Sequence, residues 1–266
     1  MNLGFMALSS GSSGNCYLIR TEYTNVLLDA GISCRSIKNL LAQQGLELKD
    51  IHAIFISHEH SDHIQGIRTT MKQGSCPLYA SHGTLAEIVK KISPLPYERL
   101  IEMEDGEAVK VGDDLTVRAF RVSHDAKEPF QFSFESGGKK VSVVTDTGFV
   151  SDEIFHNIED SDILALEANH ERNILLYGSY PFMLKMRILS EVGHLSNESC
   201  AHTVVEMLKK GRSPKVFLAH LSQENNTPEQ AMITVKNAVE EAGFALGRDL
   251  ELRVISRGCS SEYVTV

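Results

Sequence analysis

No apolar run in the 266 residues approaches the length that crosses a bilayer. The start, Met1-Asn2-Leu3-Gly4-Phe5, puts no basic segment ahead of an apolar stretch, so no signal peptide is expected. Cysteine is sparse. Cys16, Cys34, Cys76, Cys200 and Cys259 are odd in number and scattered, and they form no Cys-x-x-Cys pair. Neither a disulfide framework nor a thiolate zinc cluster is expected, and a reducing cytoplasm is. Low-complexity tracts, Pro/Gly-rich linkers and internal repeats are also missing, which predicts a single domain over residues 1–266. Basic charge is short as well: 26 Lys and Arg stand against 35 Asp and Glu, a formal net charge of -9. A protein that coats nucleic acid draws most of its affinity from a basic face, so that class is disfavoured. An enzyme that grips one phosphodiester is not, because two divalent cations would add about four positive charges where the substrate sits.

What is present is an ordinary globular composition, 42% hydrophobic and 23% charged, enough for a full core. The first half reads mostly as strands: Leu3–Leu8, Cys16–Arg20, Asn25–Asp29, Ala53–Ser57, Leu78–Ala80, Thr116–Val122, Gln131–Glu135 and Lys140–Thr145. Ser36–Gln44, closed by Gly45, has helical spacing, as do Thr84–Lys91 and Ser151–Ile158. Strands and helices then alternate: Ile163–Glu167, a helix over Asn197–Lys210 ended by Gly211, Lys215–His220, a helix over Pro228–Gly243, and a strand near Leu252–Ser256. Two sheets with helices on their outer faces fit this order, each sheet burying one face against the other.

The run His58-Glu59-His60-Ser61-Asp62-His63 follows the apolar strand Ile51–Ser57 and precedes an expected helix from Ile64. His58 and His60 are two apart and point to one side of an extended chain. The chain then turns, and Asp62 and His63 address a second point. Imidazoles suit zinc, iron and similar metals, and a carboxylate adds compensating charge. Glu59 points away from the alternating histidines and is not expected to be a ligand. Downstream, His124, Asp146 and His220 each stand just past a β-run, where strand ends converge on one rim. Singly, each is more often a turn former or cap; together, after the first motif, they complete a ligand set.

These residues resemble the metallo-β-lactamase superfamily in order and spacing, from Leu28-Asp29-Ala30-Gly31 to His220. The stretches Ser10-Gly11-Ser12-Ser13-Gly14-Asn15-Cys16, Tyr180-Pro181-Phe182-Met183-Leu184-Lys185 and Gly193-His194-Leu195-Ser196-Asn197 are most similar to its YycJ/WalJ branch, linked to DNA exonuclease activity. Glu167, in Leu166-Glu167-Ala168-Asn169, and His194 also look like residues of the tRNA 3′-processing endonucleases, but nothing resembles their long tRNA-holding arm. The resemblance implies an α/β fold, a four-layer αββα sandwich with the metals at one edge of the sheets. It implies His58, His60 and His124 on one metal, Asp62, His63 and His220 on the other, and Asp146 bridging. Asp146 stands where many β-lactamases carry a cysteine, and a carboxylate there favours harder metals and phosphoester chemistry. The cofactors expected are two divalent ions, zinc, manganese or iron.

The reading that follows is a two-metal phosphodiesterase acting on nucleic acid as a 5′→3′ DNA exonuclease. Asp62 is expected to serve as ligand and to orient the attacking water, and Glu167 to hold His194 protonated for the leaving oxygen. The bland alternative for His194 is a residue at the start of a helix, beside the Ser196/Asn197 cap. Asp29 is read as fixing the metal loop or as a turn aspartate, and Gly11–Asn15 as a phosphate cradle or a hairpin loop. Lys185 and Arg187 either touch a nucleic-acid backbone or sit on a solvated helix face, and Met183 and Met186 are expected in the core. Two further classes are a small-molecule hydrolase, acting on a cyclic phosphodiester, lactone or thioester, and a metal-stabilised scaffold; the scaffold would not need two metals and an open position.

Overall fold

The computed structural model describes residues 2–266 and builds two seven-stranded mixed sheets. The first contains β1 (Gly4–Ser9), β2 (Cys16–Arg20), β3 (Asn25–Leu28), β4 (Ala53–Phe55), β5 (Leu78–Ser81) and β6 (Leu100–Met103) in that order, with β14 (Val264–Thr265) outside β1. The second runs from β7 (Ala108–Val111) through β8 (Leu115–Arg121), β9 (Phe130–Ser136), β10 (Lys139–Val144), β11 (Ile163–Glu167) and β12 (Lys215–Ala219) to β13 (Glu251–Val254). Each sheet begins antiparallel and turns parallel, at β3–β4 in the first and β10–β11 in the second.

Strand periodicity explains why four layers form. Successive side chains leave a strand on opposite faces, and here both faces are apolar. Phe5 and Ala7 of β1, Val26 and Leu28 of β3, and Phe217 and Ala219 of β12 enter a core between the sheets. Their neighbours Met6, Leu8 and Leu27 face outward instead, onto α1 (Cys34–Gln43), α3 (Ile67–Gln73) and α4 (His82–Ile92), which bury Ile37, Met71 and Ile88. Val216 and Leu218 likewise face α5 (Asp152–Ile158), α8 (Asn197–Lys209) and α9 (Pro228–Glu241). No helix among the described residues is long and apolar enough to cross a membrane.

The chain differs from the sequence expectation in several places. The helix expected from Ser36 starts at Cys34, because Ser33 caps it by accepting from the Ser36 N–H. The helix expected from Ile64 is two short ones, α2 (Ser61–Ile64) and α3. Strands β6, β7 and β14 and helices α6 (Arg172–Tyr177) and α7 (Phe182–Ile188) were not anticipated. Met183 and Met186 are not in the core: they are 77% and 43% exposed. Helix α7 has seven residues and turns Leu184 and Ile188 inward, so at about 100° per residue both methionines fall outside that stripe.

Candidate metal centre

The ligand candidates and Glu167 stand at strand ends along one edge of the sandwich, and His194 comes to them from the loop between α7 and α8. The six-residue motif follows β4, His124 follows β8, Asp146 follows β10, Glu167 closes β11 and His220 follows β12. Outside the carboxyl ends of parallel strands the backbone is released from its ladder and loops meet, the usual place for a site in an α/β sheet.

Three imidazoles form the first group. His60 Nδ1 lies 3.0 Å from His58 Nε2 and 3.2 Å from His124 Nε2. The other nitrogens of two of these rings are held from behind, His58 Nδ1 by Ser57 Oγ at 3.0 Å and His124 Nδ1 by the Gly193 carbonyl at 3.2 Å. A ring fixed through one nitrogen presents the other, which sets its tautomer and aim. Four nitrogens around one ion with bonds of 2.0–2.1 Å lie about 3.3 Å from one another, close to the spacing seen here.

Asp62, His63 and His220 form a second group. Asp62 Oδ2 stands 3.5 Å from His63 Nε2 and 3.7 Å from His220 Nε2. His63 Nδ1 is held by Asp29 at 2.7 Å, and Asp29 also accepts from the Ser57 N–H and hydroxyl, so one buried carboxylate braces both ends of the motif. Asp146 reaches across: its Oδ2 is 3.3 Å from His63 Nε2, and its Oδ1 is 3.4 Å from His220 Nδ1 and 3.9 Å from His124 Nε2. Asp29, Asp146 and His220 share a backbone peculiarity. They are the non-glycine residues in the left-handed region among those described, with φ of 61°, 55° and 54°. Such residues concentrate where surrounding structure forces a side chain into place for chemistry.

Beside these groups, Glu167 Oε1 lies 2.8 Å from both His194 Nδ1 and His220 Nδ1. Its Oε2 accepts from the Thr147 and Leu195 N–H groups. Burial alone would raise this carboxyl, but the two imidazoles hold it down to about 2. Burial would likewise lower His194, yet Glu167 raises it, which favours the imidazolium. Desolvation is also outweighed at His220, which Asp146, Asp62 and Glu167 carry up to about 10, and at His63, raised well above its usual range by Asp29, Asp146 and Asp62. At His58, burial and the His63 charge push the other way.

The sequence reading missed several supports. Ser57 ties Asp29 to both His58 and His63. Asn15, which the sequence places in the Gly11–Asn15 phosphate cradle or hairpin loop, directs its side-chain amide at Asp62 Oδ2 and His63 Nε2, 3.3 and 3.0 Å away. Ser10 Oγ accepts from the His220 N–H at 2.9 Å. Hydroxyls and amides of this kind carry no spacing signal, since only the fold brings them near. Glu59 stays out of the cluster and accepts from the Lys127 N–H. Lys185 donates to the Leu176 and Gly178 carbonyls, tying α6 to α7, whereas Arg187 pairs with Asp125 through two bonds at the site's rim.

The donor set fits divalent cations. Two buried atoms in the cluster, Asp146 Oδ2 and His220 Nε2, have no hydrogen-bond partner, although such atoms normally find one. Four carboxylates converge with enough negative potential to draw protons onto buried imidazoles, so positive charge belongs there. Nitrogen and oxygen donors without thiolate suit zinc, iron and manganese alike.

Comparison with known proteins agrees with this geometry. A family model described as beta-lactamase superfamily domain matches residues 24–221. Exodeoxyribonuclease YycJ of Bacillus anthracis is 36% identical over 252 residues, 95% of either chain. Exodeoxyribonuclease WalJ of Streptococcus pneumoniae is 38% identical over 250 residues, 93% of this chain and 92% of its own. Among solved structures, the metallo-β-lactamase fold protein YhfI from Bacillus subtilis superposes with a TM-score of 0.72 over 98% of this chain and 99% of its own, at 17% identity, a likeness of fold alone. The chain therefore belongs to the β-lactamase superfamily and, within it, to the family of the YycJ and WalJ proteins.

Proposed function

We propose that this chain is a metal-dependent phosphodiester hydrolase that degrades DNA as a 5′→3′ exonuclease, acting as a single cytoplasmic domain. The observation that carries the reading is the convergence of His58, His60, His124, Asp62, His63, His220 and Asp146 beside an ion-paired Glu167–His194. The names of the YycJ and WalJ relatives support DNA as substrate and exonuclease as mode.

His58, His60 and His124 would hold one divalent ion and Asp62, His63 and His220 a second, with Asp146 between them because its two oxygens reach both groups. Bound there, such a pair supplies an activated water and a clamp for the phosphate oxygens. The chain's own residues do the rest. Asp62, steadied by Asn15, orients the attacking water and accepts its proton. His194 is held through Nδ1 by Glu167, which leaves Nε2–H to protonate the departing alkoxide. Gly193 and Leu195 are tied to His124 and Glu167, so the acid moves with the ligands rather than with a loose loop.

The net charge of -9 favours a second reading, a small-molecule hydrolase for a cyclic phosphodiester, lactone or thioester. One assay separates the two. The purified protein, loaded in turn with zinc, manganese and iron, is given end-labelled single- and double-stranded DNA and RNA. Release of nucleotides from the 5′ end of DNA, abolished by a chelator, is the expected result. Turnover of a lactone or cyclic phosphodiester with DNA left intact would replace the nuclease reading by the second one.

A further inference from the structure

The metal centre does not sit in a blind pocket. Ser12, His60, Ser61 and Asp62 line both of two adjoining cavities, of about 360 and 720 Å³, so two arms meet at this edge of the metal loop. The arms differ in chemistry. The smaller, beside His194, is walled by Tyr180, Leu184 and Ile188, and its one strong cation, Arg187, is already paired with Asp125. The larger carries Arg68, Lys91, Gln65, Ser13 and Ser93.

Charge decides what the larger arm takes. Of its two acids, Asp62 faces His63 and His220, and Glu59 is buried, accepting the Lys127 N–H through Oε1 while its Oε2 has no partner among the described residues. Neither of its two cations is held in an ion pair. Among the described residues Arg68, exposed on α3, has no ion pair. Lys91, at the end of α4, donates to the Glu59 carbonyl at 3.1 Å, which anchors it to the metal loop and leaves it without an ion pair among the described residues. In a chain of net charge -9 a polyanion is not held by the general field, so its phosphates need local cations. A guanidinium, an ammonium and hydroxyls around one cavity make a phosphate site.

Resting on the nuclease reading above, we infer that the larger arm is a phosphate-binding subsite, in which Arg68 and Lys91 hold a phosphate of the DNA strand beside the scissile bond while the smaller arm receives the neighbouring base. The phosphate is either the terminal 5′-phosphate or an internal one.

The test uses the metal-loaded enzyme on a single-stranded oligonucleotide, with Arg68→Ala, Lys91→Ala, the charge reversal Arg68→Glu, and Lys236→Ala on the exposed face of α9 as control. Each alanine variant should raise KM roughly tenfold, the loss expected for one charge-assisted bond. It should also flatten the dependence of log KM on log salt by about 0.7 for each phosphate of a single strand that the protein no longer neutralises. Arg68→Glu should raise KM further, Arg68→Lys should recover part of the loss, and Lys236→Ala should match the wild type. A terminal phosphate shows itself if the variants erase a preference for 5′-phosphorylated over 5′-hydroxyl ends, an internal one if both ends suffer equally. Wild-type KM and salt slope in the Arg68 and Lys91 variants, or a fall in kcat alone, would overturn the subsite and leave the nuclease reading standing. Failure of the wild type to degrade DNA with any of the metals would overturn both.

Discussion

At the scale of single residues, Glu167 joins two parts of the site. One oxygen serves His194 and His220 together, so a single carboxylate supports both the leaving-group acid and a ligand. Substitutions should separate the two roles. His194→Ala should slow DNA cleavage by about 10²–10⁴, the usual worth of a general acid, with metal content unchanged. The loss should shrink on a p-nitrophenyl phosphodiester, whose leaving group needs no proton; equal losses on both substrates would exclude the acid role. Glu167→Gln should do more, lowering metal affinity roughly 10–100-fold as well as the rate, because it also releases His220. Metal analysis of the two purified variants checks this. Asp62→Asn should keep the fold and cost more than either, since it removes an anionic ligand and the group that orients water; a wild-type rate with full metal content would remove Asp62 from the chemistry. A different histidine governs a pH effect. His170 is buried, neither ring nitrogen has a hydrogen-bond partner, and burial lowers it to about 4. The unfolded chain therefore binds this proton first, so the stability gained from a neutral His170 is whole above about pH 6.5 and drains away as pH falls toward 4. His170→Phe, which fills the space without titrating, should lose less stability than wild type between pH 7 and 5 in urea unfolding; parallel losses would refute the assignment.

At the scale of elements, the strand end is the working unit. β3, β10 and β12 are each followed within two positions by a left-handed residue, Asp29, Asp146 or His220, a conformation that costs on the order of 1–3 kcal/mol per site. The loops around them leave little room. An added Cβ at Gly31 would fall 1.6 Å from the Asp62 carbonyl oxygen and 2.6 Å from the Asn15 nitrogen, both backbone atoms, so the metal loop would have to move. Gly31→Ala should thus cost over roughly 3 kcal/mol and most of the bound metal. Gly45→Ala is the contrast: φ is 71° but nothing lies within 4 Å, so about 1 kcal/mol and full metal are expected. Metal titration and thermal unfolding of the two variants decide. The same elements show what the sequence made legible. Long apolar runs that end in His or Asp, such as Lys215–Ala219 before His220, announce both the strand and the ligand. The edge strands β6 and β7 do not, because both are only four residues long and half exposed, and β6 does not alternate. α7 misleads because methionine is apolar wherever it lies, and only the direction of Leu184 and Ile188 shows which side is inward. Glu167's hold on His220 was illegible for another reason: the two are 53 positions apart, and register across β11 and β12 brings them together.

At the scale of the whole molecule, the centre lies on the seam between the sheets. His58, His60, Asp62 and His63 come from the loop and the short helix α2 after β4 in the first sheet, whereas His124, Asp146 and His220 come from the second. Below the seam the sheets are held by the shared apolar core, with Phe55 packed against Phe132 and Phe134 at 5.4 and 6.1 Å between ring centroids. At the edge itself the contact is polar and acidic, and carboxylates from both sheets face one another, balanced among the chain's own groups only by the imidazoles of His63, His194 and His220. Divalent ions there would act as ties as well as catalysts. An ion present at a hundred times its Kd stabilises the folded state by about 2.7 kcal/mol, which in a chain of this size is worth roughly 5–10 °C in the unfolding midpoint. Chelation should therefore lower the midpoint by that amount and should act unevenly. The bonds that close the site loops, Asn15 N–H to the Asp62 carbonyl at 2.7 Å and Ala30 N–H to the His63 carbonyl at 2.9 Å, should exchange faster with solvent deuterium once the ions are gone. Amides of β4 and β9 beside Phe55 and Phe132 should stay protected, since the core that covers them contains no ligand. Uniform loss of protection over both regions would mean that the ions hold up the fold as a whole; unchanged protection at Asn15 and Ala30 would mean that the seam is closed by the protein alone.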